Sequence, residues 1–108
     1  MLEMKEGNTE AELEYIIENS SDASQKLQAL LELCKRIKEK DYMRAWLYAI
    51  EALDMAKNLG DQKSEAQAHY EVGTALWKLA DYTEALDHYS QAAEVYEDLG
   101  DEYGTSLA

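Results

Sequence analysis

The side chains best suited to chemistry are two histidines, His69 and His88, one cysteine, Cys34, and paired acids such as Glu97-Asp98 and Asp101-Glu102. Catalysis by a nucleophile or a general base needs those groups, and one that orients the base, within mutual reach. The histidines stand 19 residues apart. His69 falls at a packing position, and His88, just before Tyr89, is expected to be exposed. Cys34 has no second cysteine to bond with and no cluster of ligands around it, so a buried packing thiol is expected. The acid pairs flank helix ends and read as capping or solvated charges. The sequence contains no H-E-x-x-H, C-x-x-C, calcium loop or glycine-rich phosphate loop. Neither an enzyme nor a metal or cofactor protein is expected.

A different signal comes from the aromatics: eight Tyr and two Trp with no Phe. Tyr70 and Trp77, seven residues apart, share one face of a helix. Tyr and Trp with a polar rim are the usual makings of a binding hot spot. The same spacing would also serve for packing on a neighbouring helix pair. Trp46 is expected on an outer or inter-repeat packing surface.

The elements that position these residues are helical. The 108 residues include no proline and only five glycines, the two types that break helices. Ala, Leu, Glu and Lys outnumber the β-branched types. A hydrophobic content of 46% is that of a folded chain. Asp41-Tyr42-Met43-Arg44-Ala45 recurs forty residues on as Asp81-Tyr82-Thr83-Glu84-Ala85, Ala52 as Ala92, and Leu59-Gly60-Asp61 as Leu99-Gly100-Asp101. That gives seven identities in 21 positions, where chance gives on the order of one or two. Asp101–Ala108 aligns in turn with 61–68, as if a third repeat begins there.

Thr9-x-x-Glu12, Asp22-x-x-Gln25 and Asp81-x-x-Glu84 have the capping-box form. Gly60 and Gly100 stand where helix ends take a left-handed residue. Helices are therefore expected over 9–19, 22–39, 42–58, 62–79, 82–98 and 102–108, with a frayed start at 1–8. The short connections make consecutive helices antiparallel neighbours. One domain, 9–108, results: a lead-in helix at 9–19, a repeat over about 22–60, a second over about 61–100, and the start of a third at 101–108.

Net charge is −13, concentrated at the two ends; residues 80–108 carry eight acids and no Lys or Arg. Such a surface repels phosphate backbones and anionic lipid, which argues against nucleic acid and membrane as partners. A basic or apolar protein surface fits better, although the acids also serve as plain solvation. No apolar run approaches the roughly 18–20 residues of a membrane span, and the N-terminus has no secretory-signal pattern. A cytoplasmic location is the expectation.

Residues 69–97 resemble the tetratricopeptide repeat, W-x2-L-G-x2-Y then A-x3-F, A and P. His69 stands for the Trp, Val72 for the Leu, Gly73 is the Gly, and Leu76 stands for the Tyr. Ala85 and Ala92 are the alanines, Tyr89 stands for the Phe and Glu97 for the Pro. Leu30, Leu33, Cys34, Ile37, Ala45, Ala49 and Ala52 form a looser copy, one residue shorter in its turn. The small residues at 34, 73, 85 and 92 are expected to let the helices of a pair approach closely.

The resemblance implies an all-α, right-handed superhelical solenoid of antiparallel helix pairs. The forty-residue period is similar to that of regulatory arrays in bacterial signalling proteins, which would make the chain the sensory or regulatory part of a larger protein. The implied function is a protein-interaction scaffold with a concave groove for a partner's peptide or helix, lined by Gln28, Leu31, Lys35, Lys38, Gln67, Tyr70, Thr74, Trp77 and Lys78. The Lys and Asn of the carboxylate-clamp variant are absent from those positions. An alternative is self-association, a homodimer or helix exchange through the unfinished C-terminal repeat.

Overall fold

A computed structural model describes residues 8–100. Five helices follow in chain order: α1 (Glu10–Asn19), α2 (Ala23–Ile37), α3 (Tyr42–Leu59), α4 (Gln62–Lys78) and α5 (Tyr82–Leu99). No strand occurs among the described residues. The protein is all-helical, as its composition implied. The expected helix at 102–108 lies outside the described residues, as does the frayed start except for Asn8, which is buried.

The helix ends are set locally. Thr9 caps α1 with a reciprocal capping box: its hydroxyl accepts from the Glu12 N–H at 3.1 Å while its own N–H donates to Glu12 Oε1 at 2.9 Å. Asp22, Asp41, Asp61 and Asp81 each accept a first-turn N–H of the helix that follows. Gly60 and Gly100 close α3 and α5 in the left-handed conformation, with φ of 69° and 67°.

Ala80 ends α4 in the same way with φ 66°, where no glycine was available to suggest it. Its N–H donates to the Trp77 carbonyl and that of Asp81 to the Leu76 carbonyl, the paired bonds of a Schellman motif. After α2 the step from Ile37 to Tyr42 is one residue shorter than the matching step from Leu76 to Tyr82, and the turn closes differently. There the N–H groups of Lys40 and Asp41 both donate to Ile37. An alanine pays roughly 1–2 kcal/mol in the left-handed region, and glycine gives back part of that in chain entropy. Ala80→Gly is expected to raise unfolding free energy by about 0.5–1 kcal/mol. Thermal melts of the two proteins check this, and an unchanged or lowered midpoint refutes it.

Each helix packs on its neighbours in sequence, and α2 also meets α4. The pairing is antiparallel: the end of α2 meets the start of α3 where Cys34 Sγ lies 3.3 Å from the Ala45 carbonyl. The matching place in the second pair is Gly73 against Ala85, where an added Cβ would sit 3.1 Å from the Ala85 carbonyl oxygen and 2.9 Å from the Tyr89 ring. Positions 34 and 73, thirty-nine residues apart, thus do the same work in two hairpins. Ala45, Ala85 and Ala92 are buried as well. The main core is filled by Leu13, Leu27, Leu30, Leu33, Ile37 and Val72, with Trp46 packed half-buried against it. Each buried Leu or Ile contributes about 1.5–3 kcal/mol by leaving water. On the surface, α1 is tied to the α2–α3 corner by Lys40–Glu10 at 2.6 Å and Arg44–Glu14 at 2.7 Å. Exposed pairs of this kind contribute little each.

Candidate protein-binding site

The residues expected to line a groove separate into two groups. The first lies on α2 and is occupied within the fold. Gln28 Nε2 donates to Ser64 Oγ of α4 at 3.1 Å, and Lys38 Nζ lies 3.4 Å from Glu71 Oε1 of α4. Between them on the same face, Leu31 is fully buried and lines no groove. The cause is α4 itself: the face of α2 that α4 approaches loses its water, and an apolar side chain there becomes core. Lys35 stays exposed. Lys78, at the far end of α4, reaches back to Glu39 at 2.7 Å across the same seam.

The second group faces α5. Tyr70 lies against the Tyr89 ring, centroids 5.5 Å apart, with Lys38 Nζ 5.9 Å from its own centroid. Thr74 Oγ1 donates to the Tyr70 carbonyl at 3.0 Å and so accepts from the Tyr89 hydroxyl at 3.1 Å. Trp77 meets Tyr82 edge-on at 4.7 Å yet remains 50% exposed. Gln67 is half-buried. The site the structure assembles is thus an aromatic strip, Tyr70, Tyr89, Trp77 and Tyr82, running along one side of the α4–α5 hairpin. Leu86, one turn beyond Tyr82, extends it into solvent.

Sequence reasoning did not single out Tyr82, Leu86 or Tyr89 as surface residues. The signal was the forty-residue offset, which pairs Leu86 with Trp46 and Tyr82 with Tyr42. It also did not find Glu71 as a buried acid. That carboxyl is 3% exposed. Burial raises its pKa, and the charge and hydrogen bond of Lys38 oppose the rise.

Cys34 and the two histidines are used in packing. Cys34 is buried, and its thiol is pushed up to about 12, by burial first and then by the charge of Glu71. A thiol so placed is a poor nucleophile at neutral pH. His88 is half-buried rather than exposed, because its Nδ1 lies 3.0 Å from Nδ1 of the buried His69. One of the two must donate and the other accept. Glu65 Oε2 stands 3.8 Å from the other nitrogen of His69. Among the described residues no group of three His, Cys, Asp or Glu is placed to hold a metal ion, and no helix is long and apolar enough to cross a membrane. Comparison with protein-family models, with characterised proteins and with solved structures finds no match to this chain.

Proposed function

We propose that this chain is a protein-interaction module of tetratricopeptide type, which takes up a helix or peptide of a partner protein on the Tyr70–Trp77 side of its second hairpin. The observation that carries the reading is the exposure of Trp77 and Tyr82 as an edge-on pair beside the half-buried Tyr70 and Tyr89. Large rigid aromatics held by their neighbours lose little freedom when a partner arrives, and they dominate binding energies where they occur. The polar rim of Gln67, Thr74 and Lys78 would fix register. The repeated close approach at Cys34–Ala45 and Gly73–Ala85 supports the family reading.

The test is selection of binders from a displayed library of helical peptides, followed by titration against the chain and its Tyr70→Ala and Trp77→Ala variants. Loss of a hot-spot aromatic should weaken affinity at least about tenfold, which corresponds to roughly 1.4 kcal/mol. Selected peptides that bind both variants as well as the parent chain would remove the site from consideration.

A further inference from the structure

We infer that the occupant of this side is an amphipathic helix with basic flanks, seated on α4 and α5 as α4 is seated on α2 and α3. The inference rests on the protein-binding reading above and names the chemistry of the partner. Its starting point is a comparison of two faces forty residues apart. On α3, which packs against α4, Leu53 is 8% exposed and Trp46 is half-buried against the main core, to which α4 contributes Ala68, Val72 and Leu76. The corresponding edge of α5 carries Ala93 and Leu86, and Leu86 is 57% exposed. With Tyr82 and Trp77 it forms an apolar edge of the kind that a helix fills in the first hairpin.

Charge selects the occupant. In the filled seam the receiving helix α2 supplies the cation Lys38 and the arriving helix α4 the carboxylate Glu71. On the side left open among the described residues, Trp77 stands at the position of Lys38, and Glu97 at that of Lys57. Helix α5 carries Glu84, Asp87, Glu94, Glu97 and Asp98, and no Lys or Arg occurs from Leu79 to Gly100. An acidic helix would meet like charge there, and so would the α5 of a second copy of this chain. A helix with Lys or Arg beside its apolar stripe meets complementary charge, which raises both association rate and selectivity.

Two labelled helical peptides with one apolar stripe, flanked by Lys in the first and by Glu in the second, are titrated by fluorescence anisotropy against the full chain and its Leu86→Lys variant. Leu86 is exposed, so that variant should keep its circular dichroism. The Lys peptide is expected to bind at least tenfold more tightly than the Glu peptide, by a margin that shrinks with added salt, and to lose at least tenfold against Leu86→Lys. Equal affinities for the two peptides overturn the basic partner while leaving helix docking in place. Binding by neither overturns helix docking on this side as well. Concentration-dependent mass in light scattering that Leu86→Lys abolishes assigns the face to a second copy and also overturns the proposal.

Discussion

Gly73→Ala should destabilise the protein by about 1–3 kcal/mol, although alanine is intrinsically the better helix former by roughly 1 kcal/mol. The new Cβ would lie 2.9 Å from two atoms of the Tyr89 ring and 3.1 Å from the Ala85 carbonyl oxygen. Neither neighbour yields easily. The tyrosine is held by Thr74 at its hydroxyl and by Tyr70 against its ring, and the carbonyl belongs to the first turn of α5. Relief therefore requires α5 to move away from α4, which also loosens Ala92 and Tyr96 from their cluster with Ala66.

The first hairpin shows the compensating arrangement. There Cys34 occupies the glycine position, and Ala49 stands where Tyr89 does, both fully buried. The second hairpin sets its smallest residue against a large ring, whereas the first sets two small side chains against each other. In a Tyr89→Ala background the same Gly73→Ala change should thus cost less than half as much. Chemical denaturation of the four proteins measures the coupling. Equal costs of Gly73→Ala in both backgrounds would mean that Tyr89 does not set the requirement for glycine.

The second large effect is a loss of stability in mild acid that depends on His69. The ring is 2% exposed, and burial, then the proximity of His88 and Lys57, lowers its pKa from the ordinary 6.5 to about 4, with Asp87 opposing. Glu65 also faces it, 3.8 Å from Nε2. Between those two pH values the unfolded chain binds a proton that the folded chain refuses. Stability from this group is complete above about pH 6.5 and declines as pH falls towards about 4, by up to about 3 kcal/mol. The geometry agrees, since a proton on both Nδ1 atoms sets two donors 3.0 Å apart. Glu71 works in the other direction. Its raised pKa means that the folded state takes up a proton before the unfolded state does, so acid favours folding at that group.

His69→Leu isolates the histidine contribution. Leucine occupies the matching position as Leu30 in the first hairpin and is fully buried there. Between pH 7 and pH 4 the parent chain should lose about 2–3 kcal/mol more than the variant in denaturant titrations. Parallel pH profiles would show that the histidine pair has no part in acid sensitivity.

The forty-residue repeat of Tyr42 at Tyr82, and of Gly60 at Gly100, is enough to place two helical hairpins. Thr9, Asp22 and Asp81 placed helix starts within a residue, because a cap bonds an N–H only two or three residues away. The close-packed positions at Cys34, Gly73, Ala85 and Ala92 could be read for a related reason. Small side chains recurring at a fixed interval leave a visible mark in composition.

The character of individual surfaces was not legible in this way. Leu31, Gln28 and Lys38 look like groove residues on α2 taken alone, yet their surroundings come from α4. The contacts that settle this join residues 33 and 36 positions apart, Lys38 to Glu71 and Gln28 to Ser64. His88 was pulled from the surface by His69, 19 residues away, and Ala80 takes a left-handed turn that no glycine announces.

Helix boundaries and the hairpin repeat were thus determined by the sequence alone, since caps, breakers and small-residue spacing act within a few residues of themselves. Tertiary structure decided which faces remain open. Burial of a side chain depends on whether a distant helix lies over it, and no local pattern carries that information. Trp77 and Leu86 are exposed because the neighbour that Lys38 finds in α4 has no counterpart beside them among the described residues.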